Sequence, residues 1–177
     1  MTEFLRDAAA TAAIFGFFGS AWFGWAQEKP PPAWRRWLIT GSVLSILSFI
    51  AGGLLTWRHW SDGTVFDETV GRTFGIIVGI EFALAGLGAA VLGLTGRRDY
   101  VPVWIALVVG VHLFPVAVVL HYPFIHVIAA LATVAALAAI PIARARSLPV
   151  SAVNGLGIGS ALLLGALVSL GYALFGF

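Results

Sequence analysis

The chain has 177 residues, of which 60% are hydrophobic and only 10% charged, with a mean hydropathy of +0.98. Soluble domains carry about a quarter charged residues, so this composition excludes water as the main solvent. The formal charge of +2 comes from basic residues scattered at the ends of apolar runs, a topology signal rather than a nucleic-acid surface. With no cysteine, disulfides, thiolate metal sites and dithiol redox chemistry are excluded as well.

The first apolar run covers 8–26. Gly24-Trp25-Ala26 loosely fits a signal-peptide cleavage site, but Glu3 and Asp7 cancel the positive charge a leader needs, so a retained first helix is expected. Five more runs follow at 38–57, 73–95, 101–120, 124–143 and 151–176, each near the ~20 residues that cross a ~30 Å hydrocarbon core. The fold class expected is all-α: a polytopic transmembrane bundle of six helices in a single membrane domain, 1–177. Short connections predict that consecutive helices are antiparallel neighbours.

Positively charged loops stay in the cytoplasm. Lys29, Arg35, Arg36, Arg97, Arg98, Arg144 and Arg146 fall on one side and Arg6, Arg58 and Arg72 on the other, which predicts an N-out, C-out arrangement. Trp22, Trp25, Trp34, Trp37, Tyr100 and Trp104 then fall at the inner boundary, and Trp57, Trp60, Tyr122 and Tyr172 at the outer one, the headgroup depth these rings prefer. The basic pairs Arg35, Arg36 and Arg97, Arg98 suit anionic headgroups, each worth up to about 1 kcal/mol. The expected setting is a plasma or inner membrane of bacterial type, with the bilayer as principal partner, a homo-oligomer or membrane complex as a further one, and no nucleic acid.

Small residues recur every four positions at Gly16, Ser20, Gly24, at Gly75, Gly79, Ala83, and at Ala161, Gly165, Ser169, Ala173. In lipid, helices associate by close packing and polar contacts, so these stripes are expected to be the seams.

One carboxylate lies deep in a span, Glu81, and one histidine, His112 in the following span. A charge at the bilayer centre costs about 2.5–3.5 kcal/mol on insertion scales, so Glu81 needs a partner or a proton. Glu81 is nine positions after Arg72, and His112 is nine before His121, so both should lie roughly 13 Å below the outer surface on adjacent helices. Pro115, three residues past His112, removes the N–H that the Val111 carbonyl would accept, and the freed group favours a polar pocket there. A buried Glu–His pair can take up and release protons, because histidine titrates near neutrality. The same pair can equally serve as a fastener between helices.

The favoured function is therefore binding or translocation of a proton or small solute through an outward-facing pocket around Glu81, His112 and Pro115, with Arg72 at its mouth. Two rivals are an accessory or assembly subunit without a site of its own, and a membrane metalloenzyme acting on lipid or quinone. For the last, the candidate ligands are His59, His121, His126, Asp67 and Glu68. His121 and His126 are five apart, however, whereas helical zinc ligands are usually three or four apart. Only His112 is deep, which argues against a bis-histidine haem, and no cofactor is expected. No Ser–His–Asp set, phosphate-binding loop or His-Glu-x-x-His pair occurs, and Gly155-Leu-Gly-Ile-Gly159 fits helix packing better than a nucleotide.

Overall fold

A computed structural model describes all 177 residues and contains helices only. They are α1 (Leu5–Ala26), α2 (Arg35–Arg58), α3 (Glu68–Leu94), α4 (Val101–Val119), α5 (Phe124–Ala145) and α6 (Val150–Phe175), with single 3₁₀ turns at Pro32–Trp34 and Arg98–Tyr100. All six are long and apolar enough to cross a membrane. Several extend past the apolar runs by two to five residues at their ends. Polar residues at membrane-helix ends keep their heads in water while the backbone continues to bond internally. Arg35 and Arg36 thus belong to α2, and Glu68 and Arg72 to α3, whose N-terminus is capped by Asp67 accepting from the Val70 N–H at 2.7 Å.

Both termini and the 59–67 and 120–123 connections share one face of the bundle. The Tyr172 hydroxyl donates to the Thr2 carbonyl at 3.2 Å, joining the end of α6 to the start of the chain, and the 59–67 segment is bonded to Asp7. The opposite face holds the remaining connections. We call these the terminal and basic faces.

The core lies among α1, α4, α5 and α6, around Phe15, Trp22, Leu113, Tyr122, Ile125, Ile128, Ile158 and Leu162. Tyr122 is fully buried and donates to Ser169 Oγ at 2.9 Å; burial pushes its phenol above the usual range, so it remains a neutral hydroxyl. Asn154, also buried, donates to the Pro102 carbonyl at 3.1 Å and ties α6 to the start of α4.

Two expectations about packing are corrected. Consecutive helices are not all neighbours: α2 packs on α1 and α6, whereas α3 packs on α4 alone among the membrane helices. The nine-residue 59–67 connection permits this by crossing over the start of α1, where Asp7 holds it. The small-residue stripes also divide. Ala161, Gly165, Ser169 and Ala173 are buried, and a Cβ added at Gly16 would lie 2.6 Å from the backbone of Ser45 and Phe49, so those positions form seams. Around Gly24, Gly75 and Gly79 there is open space, and no residue of α3 is buried. A stripe defined by size alone does not reveal whether a helix stands on that side, and α3 has none there.

Candidate functional site

Glu81 lies thirteen residues from either end of α3, about 20 Å along the axis from each. Its Oε2 is 3.2 Å from His112 Nε2, and the two side chains are 14% and 16% exposed. The structure therefore brings together the two residues that counting places at equal depth. The other imidazole nitrogen, Nδ1, is 2.7 Å from the Val109 carbonyl, one turn back along α4. A carbonyl only accepts, so Nδ1 carries a hydrogen and the tautomer follows. The neutral ring then presents a lone pair at Nε2 toward the carboxyl. Two facing lone pairs at 3.2 Å repel, so a proton belongs between them, on the carboxyl or on the imidazole. In either form the pair is neutral overall, which removes the cost of a lone carboxylate at this depth.

His112 stands in the wall between two cavities. One, of about 140 Å³, fills the gap between α1 and α3 on the terminal side and is lined by Asp7, Thr11, Phe66, Phe74, His112 and Tyr122 among apolar neighbours. The other, a groove of about 410 Å³ between α3 and α4, is lined by Ile77, Ile80, Leu84, Trp104, Val111 and Pro115 around Glu81 and His112. Together they span the depth from the terminal face to the middle of the bundle.

Pro115 lies on the exposed side of α4 and lines the groove, and the helix continues through it to Val119. Val111, whose carbonyl has no helical donor because position 115 is proline, lines the same groove. Arg72 is exposed on α3 and lines neither cavity.

The metal candidates are not gathered: no group of three histidine or carboxylate side chains has the geometry to hold an ion. His59 pairs with Asp62 at 2.7 Å, Asp67 caps α3, and His126 Nδ1 lies 3.2 Å from the Pro123 carbonyl. His121, with φ of 47°, occupies the left-handed turn after α4.

Two residues that sequence reasoning passed over complete the site. Asp7, 8% exposed, accepts from Thr64 Oγ1 at 2.6 Å and from the Val65 N–H at 2.8 Å. It thereby pins the 59–67 connection above the terminal cavity. Beside it, Arg6 donates to the Trp60 carbonyl at 2.8 Å and stacks over the Trp60 ring at 4.0 Å. The only sequence signal for this role is a carboxylate beside an apolar run with no cation within a helical turn on its inner side. Trp104, in the first turn of α4, donates its indole N–H to the Leu84 carbonyl at 2.9 Å, with its ring against Gly88, where any Cβ would collide with it. Comparison with protein-family models, with curated proteins and with solved structures finds no match to this chain.

Proposed function

We propose that this multi-pass membrane protein binds and exchanges a proton, or a small solute carrying one, at Glu81 and His112. The observation that supports this most directly is the approach of Glu81 Oε2 to His112 Nε2 at mid-depth, with Nδ1 already committed to Val109. Such a pair has one mobile proton and a fixed tautomer, the arrangement a proton relay needs. The terminal cavity, bounded by His112 at its deep end and Asp7 under the strap, supplies the route from one face. On this reading the basic face is cytoplasmic, the membrane is a plasma or inner membrane, and the route opens outward.

The test is proton uptake into proteoliposomes loaded with a pH-sensitive dye and given an acid-outside gradient. Wild type should acidify the lumen, and Glu81→Gln, which keeps shape and polarity but cannot give up the proton, should slow uptake at least tenfold. Equal rates in the two proteins would overturn the reading.

A second reading, an accessory subunit, draws support from a different feature: the open stripe at Gly75, Gly79 and Ala83 on a helix without buried residues. The chain contains no cysteine, so Gly79→Cys gives a single thiol at that stripe. Oxidative or bifunctional cross-linking of this variant in native membranes to another polypeptide would favour the subunit reading. Reaction with lipid-soluble maleimide alone would disfavour it.

A further inference from the structure

The α3–α4 groove contains an imbalance of hydrogen-bonding groups. Its donors are already engaged: Trp104 Nε1 gives its hydrogen to the Leu84 carbonyl, and His112 Nδ1 gives its hydrogen to the Val109 carbonyl. Glu81 Oε2 stands 3.2 Å from His112 Nε2, so that oxygen is turned to the imidazole. Two acceptors remain on residues that line the groove. One is Glu81 Oε1, which no donor of the chain reaches; the other is the Val111 carbonyl, which Pro115 deprives of its N–H. Acceptors left unpaired in a hydrocarbon setting have no water to replace a missing donor, so a group that donates to them is strongly favoured.

The rest of the groove is apolar, and its rim faces lipid. Ile80 and Val111 are 55% and 51% exposed, and Leu84 is exposed beside them. Its volume of about 410 Å³ falls within the usual range for small-ligand sites. A ligand entering sideways from the bilayer would keep its chain among Ile77, Ile80 and Leu84 and bring its head to mid-depth. An anionic head would meet the carboxyl oxygen with like polarity. A head that only accepts, such as a ketone or an ether, would leave both acceptors unpaired.

We infer that the α3–α4 groove binds a neutral, hydroxyl-bearing amphiphile drawn from the bilayer, its O–H donating to Glu81 Oε1. Long-chain and isoprenoid alcohols and quinol-type heads have this chemistry. The inference rests on the Glu81–His112 reading for the geometry of the carboxyl and names the solute class for that site, but it does not require proton flux. Gln at position 81 separates the two. Its amide N–H₂ can donate to His112 Nε2 while its carbonyl still faces the groove, so Glu81→Gln removes the exchangeable proton and keeps the acceptor.

The experiment uses the full chain in phosphatidylcholine nanodiscs. The probes are a sixteen-carbon primary alcohol carrying a diazirine and an alkyne, and its methyl ether. After illumination, labelled peptides are mapped and labelling is competed with unlabelled hexadecanol. The alcohol should label 77–84 and 104–115 saturably, and the ether should compete at least tenfold more weakly, because sites built to bond a hydroxyl reject analogues lacking it. Glu81→Gln should retain labelling within about threefold while flux falls, and Glu81→Leu should lose it at least tenfold. Ile80→Trp, at an exposed rim position that leaves the pair intact, should block labelling by filling the groove, and it decides the matter if Glu81→Leu fails to fold. Equal labelling by ether and alcohol, or saturable labelling unchanged in Ile80→Trp, would overturn the inference. Loss of flux in Glu81→Gln with labelling absent in wild type would overturn the ligand and leave the proton reading standing. Labelling with flux unaffected by Glu81→Gln would do the reverse.

Discussion

Where α1 meets α2 and α6, the helices touch backbone to backbone; where α3 meets α4, they touch through side chains. A Cβ at Gly52 would sit 2.7 Å from Ala9 O and Ala13 N, and one at Gly155 would sit 2.6 Å from Trp22 O. Across the bundle, α3 is held by the Trp104 bond to Leu84, the Glu81–His112 contact and the notch at Gly88. In lipid, close backbone approach maximises dispersion contacts and fixes distance, whereas polar side-chain ties fix register and leave gaps. The backbone-packed flank supplies the seams, the looser flank holds the groove and the only deep carboxylate, and the terminal cavity lies between the two, with Asp7 of α1 in its wall.

Four variants test this contrast, and the largest effect belongs to the backbone-packed flank. Gly52→Leu forces a branched side chain against the backbone of α1, which cannot move aside as a side chain would. Overpacking of this kind costs about 1–3 kcal/mol or more, read as a lowered melting temperature and loss of a monodisperse detergent-solubilised species. Next comes Asp7→Ala, which leaves Thr64 and the Val65 N–H without their acceptor at a cost of about 1–3 kcal/mol. Its signature is local: trypsin should cut at exposed Arg58, beside the released strap, well before the bundle melts. Trp104→Phe removes one bond between α3 and α4 and should cost about 0.5–1.5 kcal/mol, seen as faster hydrogen exchange in α3 with α1 and α2 unchanged. Smallest of all is the pair Gly75→Ala with Gly79→Ala. Both positions face open space, so the melting temperature should stay level or rise slightly, since alanine favours helix by about 0.5–1 kcal/mol per position. A large loss there would mean that α3 has a neighbour on that side.

The same contrast marks how far the sequence could be read. All six spans were legible, because a run of about twenty apolar residues has few other uses. The equal depth of Glu81 and His112 followed from counting along two helices, since depth is set by rise per residue, whereas the rotation that turns one side chain to the other was not in the count. The place of α3 was not legible. Gly16 and Gly79 look alike as letters, yet one lies against the backbone of α2 and the other faces open space, because the difference resides in which helix stands opposite. Asp7 and Trp104 escaped for the same reason. Each bonds to a backbone group from a distant part of the chain, and no local pattern announces such a partner.

The crossing of the 59–67 strap over α1 bears on how the protein is made. A ribosome delivers α1 and α2 before α3 to α6, and they can interlock at once through Gly16 and Gly52. The face of α1 that ends up buried against α6 stays uncovered until α6 has been synthesised, since four helices lie between the two along the chain. Between these events α3 enters with Glu81 at its centre and no cation or donor of its own nearby. Its partner is 31 positions later in the chain, so α3 and α4 are best inserted together, as a hairpin that carries its own counter-group into the bilayer.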